Sequence, residues 1–318
     1  MPIYIQLPGE QTVTKLADWM EISALLDKDG CVSRQDLLSP LKAEKDTQED
    51  QIEQSEADII VLDIFTEIQR RTKATGNGYP FFLDGETIKR KHREKNFLSY
   101  IFCLLISFFG VENIQYCSDW KTSEVTKKFE ELSAKTIQSL LDNKKLSAKV
   151  KVFGWPRRWD GDVTNPSFVE ALKKICLECG EMKPKNRPTA STAKDAGLDI
   201  IAWKRFPDEL SGGIFFLGQC ATGSDWTSKL LDVKKFEVFI EDYTPPVTGT
   251  FIPHIPDISN PRSIDEWSIN VQRGGMLFNR CRIAYLAKDW SDNWANRLCR
   301  KALKEIRLQS VNDFPRQN

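Results

Sequence analysis

Two short apolar runs constrain this chain most: Ala196-Gly-Leu-Asp199-Ile-Ile-Ala-Trp203, and Ile214-Phe-Phe-Leu217 leading into Gly218-Gln219-Cys220-Ala221. Each is bounded by turn residues, Ser211-Gly-Gly standing before the second, so each reads as a β-strand and the two together as a hairpin. Pairing them sets Asp199 beside Gln219. An acid inside such a strand is expensive to bury unless it is paired or holds a cation, so Asp199 requires a reason to be there. A divalent metal is one such reason.

The residues on either side supply a resemblance. Gly-Leu-Asp199-Ile-Ile-Ala followed by Gln219-Cys220, with Phe129-Glu130 on the preceding helical run from Glu124 to Leu141, resembles the PD-(D/E)xK superfamily of restriction-type nucleases, nearest its Mrr-like branch. That likeness implies an α/β fold: a restriction-endonuclease-like central mixed sheet flanked by helices. It also implies a metal-dependent DNA endonuclease using Mg²⁺ or Mn²⁺, with Asp199 as central ligand, Glu130 reaching the metal directly or through water, and the Cys220 carbonyl as a further oxygen. Gln219 is then a neutral ligand or orients water. The family's lysine falls at position 221, which here is Ala221. Lys229 is the first replacement expected to supply the ammonium, from a helix starting near Asp225 and running towards Phe239, and Lys204 the second. The alternative is a catalytically inactive nuclease-fold subunit that binds DNA or scaffolds a partner complex.

Charge placement bears on the substrate. Residues 1–60 hold five lysines and arginines against thirteen acids, whereas residues 143–205 hold fourteen against seven, although the whole chain is formally neutral. The basic stretch includes Arg157, Arg158, Lys183, Lys185, Arg187, Lys194 and Lys204, the residues expected on a phosphate-backbone groove. Solvated helix faces are the plain alternative for these cations, and a protein-binding module is the corresponding alternative function. Trp155-Pro-Arg157-Arg158-Trp159 interleaves rings with cations in a way that suits nucleic acid.

The rest of the chain narrows the class. With 318 residues, 41% of them hydrophobic, the chain can bury a sizeable core and is not disordered. Eight scattered cysteines and no secretory leader lead us to expect reduced thiols and a cytoplasmic location. The most apolar run, residues 97–111, is too short to span a bilayer and reads as a buried helix, so no membrane association is expected. Cys176-x-x-Cys179 has zinc spacing but no second ligand pair, which favours core packing. His92 and His254 are the only histidines, and surface or loop positions are expected for both.

Two regions are expected: residues 1–120, a mostly helical docking or regulatory region, and residues 121–318, the nuclease-like domain. Lys149 to Trp155 alternates as a first strand ending at Pro156, and a helix follows from about Pro166 to Glu178. Met182 to Lys194 reads as a flexible basic segment, and Thr248 to His254 as an edge strand because of Pro253. The chain closes on an amphipathic helix from Trp290 to Ile306. By analogy with bacterial restriction and anti-phage effectors, a protein partner in a defence complex is expected, and a homodimer is a further expectation.

Overall fold

The computed structural model describes residues 5–45, 54–91, 97–112, 117–154, 167–185, 197–230 and 238–313. It divides into two compact units. The first is Met1–Val125 with Pro253–Ile264 and Arg280–Asn318, and the second is Thr126–Ile252 with Asp265–Asn279. The C-terminal helices thus group with the N-terminal region rather than with the segment that carries Asp199. Among the described residues no helix is long and apolar enough to cross a membrane.

The first unit is built around α1 (Val13–Leu26), whose N-cap Thr12 accepts the Lys15 N–H and whose residues are buried almost all round. Helices α3 (Gln54–Thr75) and α4 (Leu98–Phe109) pack on it, and near the C-terminus α8 (Arg280–Leu286) and α9 (Asn293–Asp313) complete the bundle. The apolar run expected as a buried helix is α4, with Phe102, Cys103, Leu104, Leu105 and Ile106 all buried. Asp18 and Glu21 lie inside this core, and Arg71 resolves the cost of burying them. Its guanidinium donates to Asp18 at 2.6 Å, Glu21 at 2.9 Å, Glu67 at 2.8 Å and the Thr14 carbonyl at 2.9 Å. Tyr79 and Tyr100 donate to Glu21, and Arg280 donates to Asp18.

The region expected to be mostly helical also holds a three-stranded sheet. Strand β3 (Thr87–Arg90) pairs antiparallel with β1 (Cys31–Ser33) on one side and β2 (Phe81–Asp84) on the other. Asp84-Gly85-Glu86 closes the hairpin, and Gly85 takes φ +57°, a conformation that L side chains rarely adopt. His254, expected as a surface or loop histidine, is half-buried in this unit, with Nδ1 3.1 Å from the Ser107 hydroxyl.

The second unit is mixed α/β. Its sheet has the order β10-β9-β7-β6-β4, from β4 (Lys149–Val152), β6 (Ile200–Lys204), β7 (Ile214–Cys220), β9 (Val247–Phe251) and β10 (Met276–Phe278). The pairs β4–β6 and β6–β7 are antiparallel, while β7–β9 and β9–β10 are parallel. Strand β9 is therefore central, not the edge strand that Pro253 suggested. The strand ends at Phe251, so the proline removes no ladder hydrogen bond.

Helix α6 (Phe168–Cys179) begins in a capping box between Ser167 and Glu170 and lays Phe168, Leu172, Ile175, Cys176 and Cys179 on one face of the sheet. Both cysteines are core thiols, and burial raises each to about 12. They pack into the core beneath the sheet, as the sequence reading expected. Met182 is not in a flexible segment: β5 (Met182–Pro184) pairs with β8 (Ile240–Asp242). Between them Glu181, fully buried, accepts the Gly212 and Gly213 N–H groups at 2.9 and 3.0 Å and fixes the β6–β7 loop.

Candidate active site

The β6–β7 pair is in the register that the two apolar runs predicted. Ile200 faces Gly218, and the Asp199 N–H donates to the Gly218 carbonyl at 3.0 Å, which sets Asp199 opposite Gln219. The Asp199 backbone also closes the other side: its carbonyl accepts from Phe153 at 2.6 Å and Gly154 at 3.1 Å, one residue beyond β4. The Cys220 N–H donates to Asp199 Oδ2 at 2.7 Å and holds that carboxylate in one orientation. Asp199 is thus fixed from both neighbouring strands.

Glu130 arrives from α5 (Thr122–Leu141). That helix buries Val125, Phe129, Leu132 and Ile137 on one face, and Lys127, Glu130 and Ser133 follow one another at intervals of three along a second stripe. The Glu130 side chain is 12% exposed and pairs with Lys127 Nζ at 3.0 Å, which also donates to the Gly154 carbonyl at 3.4 Å. Glu131 turns outward to Lys128 instead. Gly154 matters because of space: a Cβ there would stand 2.7 and 2.8 Å from the two Glu130 carboxylate oxygens. The Glu130 carboxylate therefore rests against the backbone that binds Asp199.

The Cys220 thiol senses the same charges. Burial pushes it well above its ordinary value of 9.0, the Asp199 and Glu130 carboxylates push it further, and the Ser133 hydroxyl and Lys127 ammonium pull the other way. Burial and the two carboxylates thus both favour the neutral thiol over the thiolate. Cys220 contributes its backbone, whose carbonyl ends β7.

Neither lysine expected to replace position 221 pairs with these groups. Lys229 lies on a single 3₁₀ turn, Trp226–Lys229, not on a helix from Asp225; residues 231–237 of that expected helix lie outside the described residues. It is 49% exposed at the side chain and pairs with Asp225 at 3.7 Å. Lys204 donates to the Leu141 carbonyl and so caps the C-terminal end of α5. Ala221 is 1% exposed, which leaves its position closed to a solvated ammonium. The ammonium beside Glu130 belongs to Lys127.

Gln219 lies close by: its amide nitrogen is 3.5 Å from where a Cβ on Gly197 would stand, two residues before Asp199. Of the residues expected on a phosphate groove, Lys183 and Lys185 are exposed, and Lys183 stands over the Tyr243 ring at 5.3 Å. Arg157, Arg158, Arg187 and Lys194 lie outside the described residues, as do Trp155, Trp159 and His92.

The donor chemistry bears on the metal. Among the described residues no group of three or more His, Cys, Asp and Glu side chains forms a metal cage. Two carboxylates and backbone carbonyls are hard oxygen donors. They match an ion such as Mg²⁺, which is ordinarily held by one or two carboxylates with water and substrate phosphate completing its shell. Lys127 and Gly154 escaped the sequence reading. Lys127 stands one helical turn before Glu130, but adjacent Lys128 is equally eligible until the helix face is known. No family model, curated protein or solved structure matches this chain.

Proposed function

We propose that the second unit is a metal-dependent deoxyribonuclease of restriction-endonuclease-like type. The observation that carries this is the meeting of Glu130 and Lys127 from α5 with Asp199 at the ends of β4, β6 and β7. Three antiparallel strands continued by two parallel ones, with an acid-bearing helix ahead of them, support the same reading. The defence role and the protein partner rest on the resemblance alone.

Asp199, Glu130 and the Cys220 carbonyl would hold a Mg²⁺ or Mn²⁺, which would supply charge neutralisation on the phosphate and a more acidic water. The chain's own groups do the rest. Asp199, held by the Cys220 N–H, keeps its carboxylate aimed. Lys127 donates to a non-bridging phosphate oxygen as negative charge builds there. Water oxygen bonds to phosphorus as the bond from phosphorus to the leaving sugar oxygen breaks; the proton lost by water passes to a carboxylate or to solvent, and the sugar oxygen takes a proton from solvent to leave as the hydroxyl.

The test is cleavage of plasmid and linear DNA in Mg²⁺, Mn²⁺ or EDTA. Cutting with metal, none in EDTA, and at least about 10³-fold loss in Asp199→Ala is the expected result. Metal-dependent cutting that survives in Asp199→Ala would remove this site from the reaction. Gly154→Ala offers a second check. The added methyl pushes the Glu130 carboxylate aside by roughly an ångström, so cleavage should fall about 10–100-fold while the melting temperature stays within about 3 °C. Unchanged cleavage would mean that the Glu130 position does not matter.

The second reading, an inactive nuclease-fold subunit that binds DNA or scaffolds a complex, is favoured by Ala221. It predicts salt-sensitive DNA binding in EDTA with no cutting in any metal.

A further inference from the structure

The first unit holds a cleft of about 570 Å³ that the proposed nuclease chemistry does not use. Among the described residues three cations line it, Arg90 and Lys91 at the end of β3 and Arg300 on α9, against one carboxylate, Asp292. The carboxylate is already engaged, since Asp292 accepts the Ala295 N–H at 2.8 Å and caps α9. Two of the cations are held in place by neighbours: Arg90 donates to the Leu25 carbonyl at 3.3 Å, and Lys91 Nζ stands 5.7 Å from the centre of the Phe97 ring. The described lining is therefore net positive and partly preorganised.

Its remaining walls are of two other kinds. Leu25, Ile101 and Leu303 make an aliphatic floor, and Asn293 and Asn296, one turn apart at the start of α9, present amides that both donate and accept. Each wall type limits the ligand. A bare phosphate satisfies the cations but leaves the floor and the amides unused. A long acyl anion satisfies the floor but strands two amides against methylenes. A molecule with a charged phosphate, a polar sugar and a flat, hydrogen-bonding ring uses all three, and the volume lies within the ordinary range of sites for ligands of that size.

We propose that this cleft binds a nucleoside phosphate. The proposal is independent of the nuclease reading, because every cleft residue lies in the first unit and none belongs to the Glu130–Asp199 group.

The experiment is calorimetric titration of the full chain with ADP, GDP, CDP and UDP, in EDTA to suppress metal-assisted binding elsewhere. Inorganic phosphate and the free nucleosides are the controls. At least one nucleotide should bind, with phosphate and its nucleoside each about tenfold weaker or more. Lys91→Ala combined with Arg300→Ala should weaken that nucleotide about tenfold or more without moving the ligand-free melting temperature, and Asp199→Ala should leave it unchanged. The proposal is overturned if none of the four binds, if phosphate binds as tightly, if the double variant binds normally, or if Asp199→Ala abolishes binding.

Discussion

Replacing Lys127 with alanine is expected to slow DNA cleavage by about 10²–10³-fold, while Lys229→Ala leaves it within about twofold. The reason lies in placement. Lys127 Nζ is 3.0 Å from Glu130 and shares its field with Asp199 and Cys220, whereas Lys229 pairs with Asp225 on an exposed turn. Stability should change little, because an i, i+3 pair on a partly exposed helix face contributes at most about 1 kcal/mol. A slow Lys127→Ala protein that melts normally and is partly rescued by Lys127→Arg would fit an electrostatic role. Normal cleavage in Lys127→Ala, or the larger loss in Lys229→Ala, would reverse the assignment.

Arg71→Met should destabilise the first unit by about 3–5 kcal/mol, a large part of the roughly 5–15 kcal/mol of a typical domain. Arg71 is fully buried and donates to three carboxylates, so the variant leaves Glu21 with tyrosine partners alone and Asp18 and Glu67 with one guanidinium each. The same network sets an acid limit. Burial pushes the Asp18 carboxyl up, but Arg280 and Arg71 outweigh it and hold it below its ordinary 3.8. Burial likewise raises Glu67, and Arg70 and Arg71 outweigh it to keep it below 4.5. With both folded values depressed, their contribution is complete above those ordinary values and is lost as pH falls below them. Urea unfolding of the wild type should therefore weaken below about pH 4.5, and Arg71→Met should show a shallower fall. A midpoint shift in Arg71→Met worth less than about 1 kcal/mol would show that the network relaxes around the loss.

How much of this was legible in the sequence depends on distance along the chain. The Asp199–Gln219 register could be read because both strands are short, apolar and joined by a marked turn. Glu130 could be placed on a helix, but not its neighbour Lys127, since Lys127 and Lys128 differ only in which face the helix buries. Gly154 carried no signal, as its requirement is clearance for a side chain 24 positions earlier. The hairpin at Asp84-Gly85 did carry one, in the turn dipeptide. Strand β9 was misplaced by reading Pro253 as part of the strand. The grouping of α8 and α9 with the first unit was invisible, because it depends on pairings such as Arg280 with Asp18 that no local pattern encodes.

That pairing spans 262 positions of sequence, and it sets an order of events during synthesis. At roughly 5–20 residues per second, Asp18 leaves the ribosome tens of seconds before its second guanidinium is made. The whole five-stranded sheet of the second unit emerges in that interval. Its strands can pair as soon as they appear, while the helical bundle that began first must wait, with α1 lacking part of its cover, until α8 and α9 have been made.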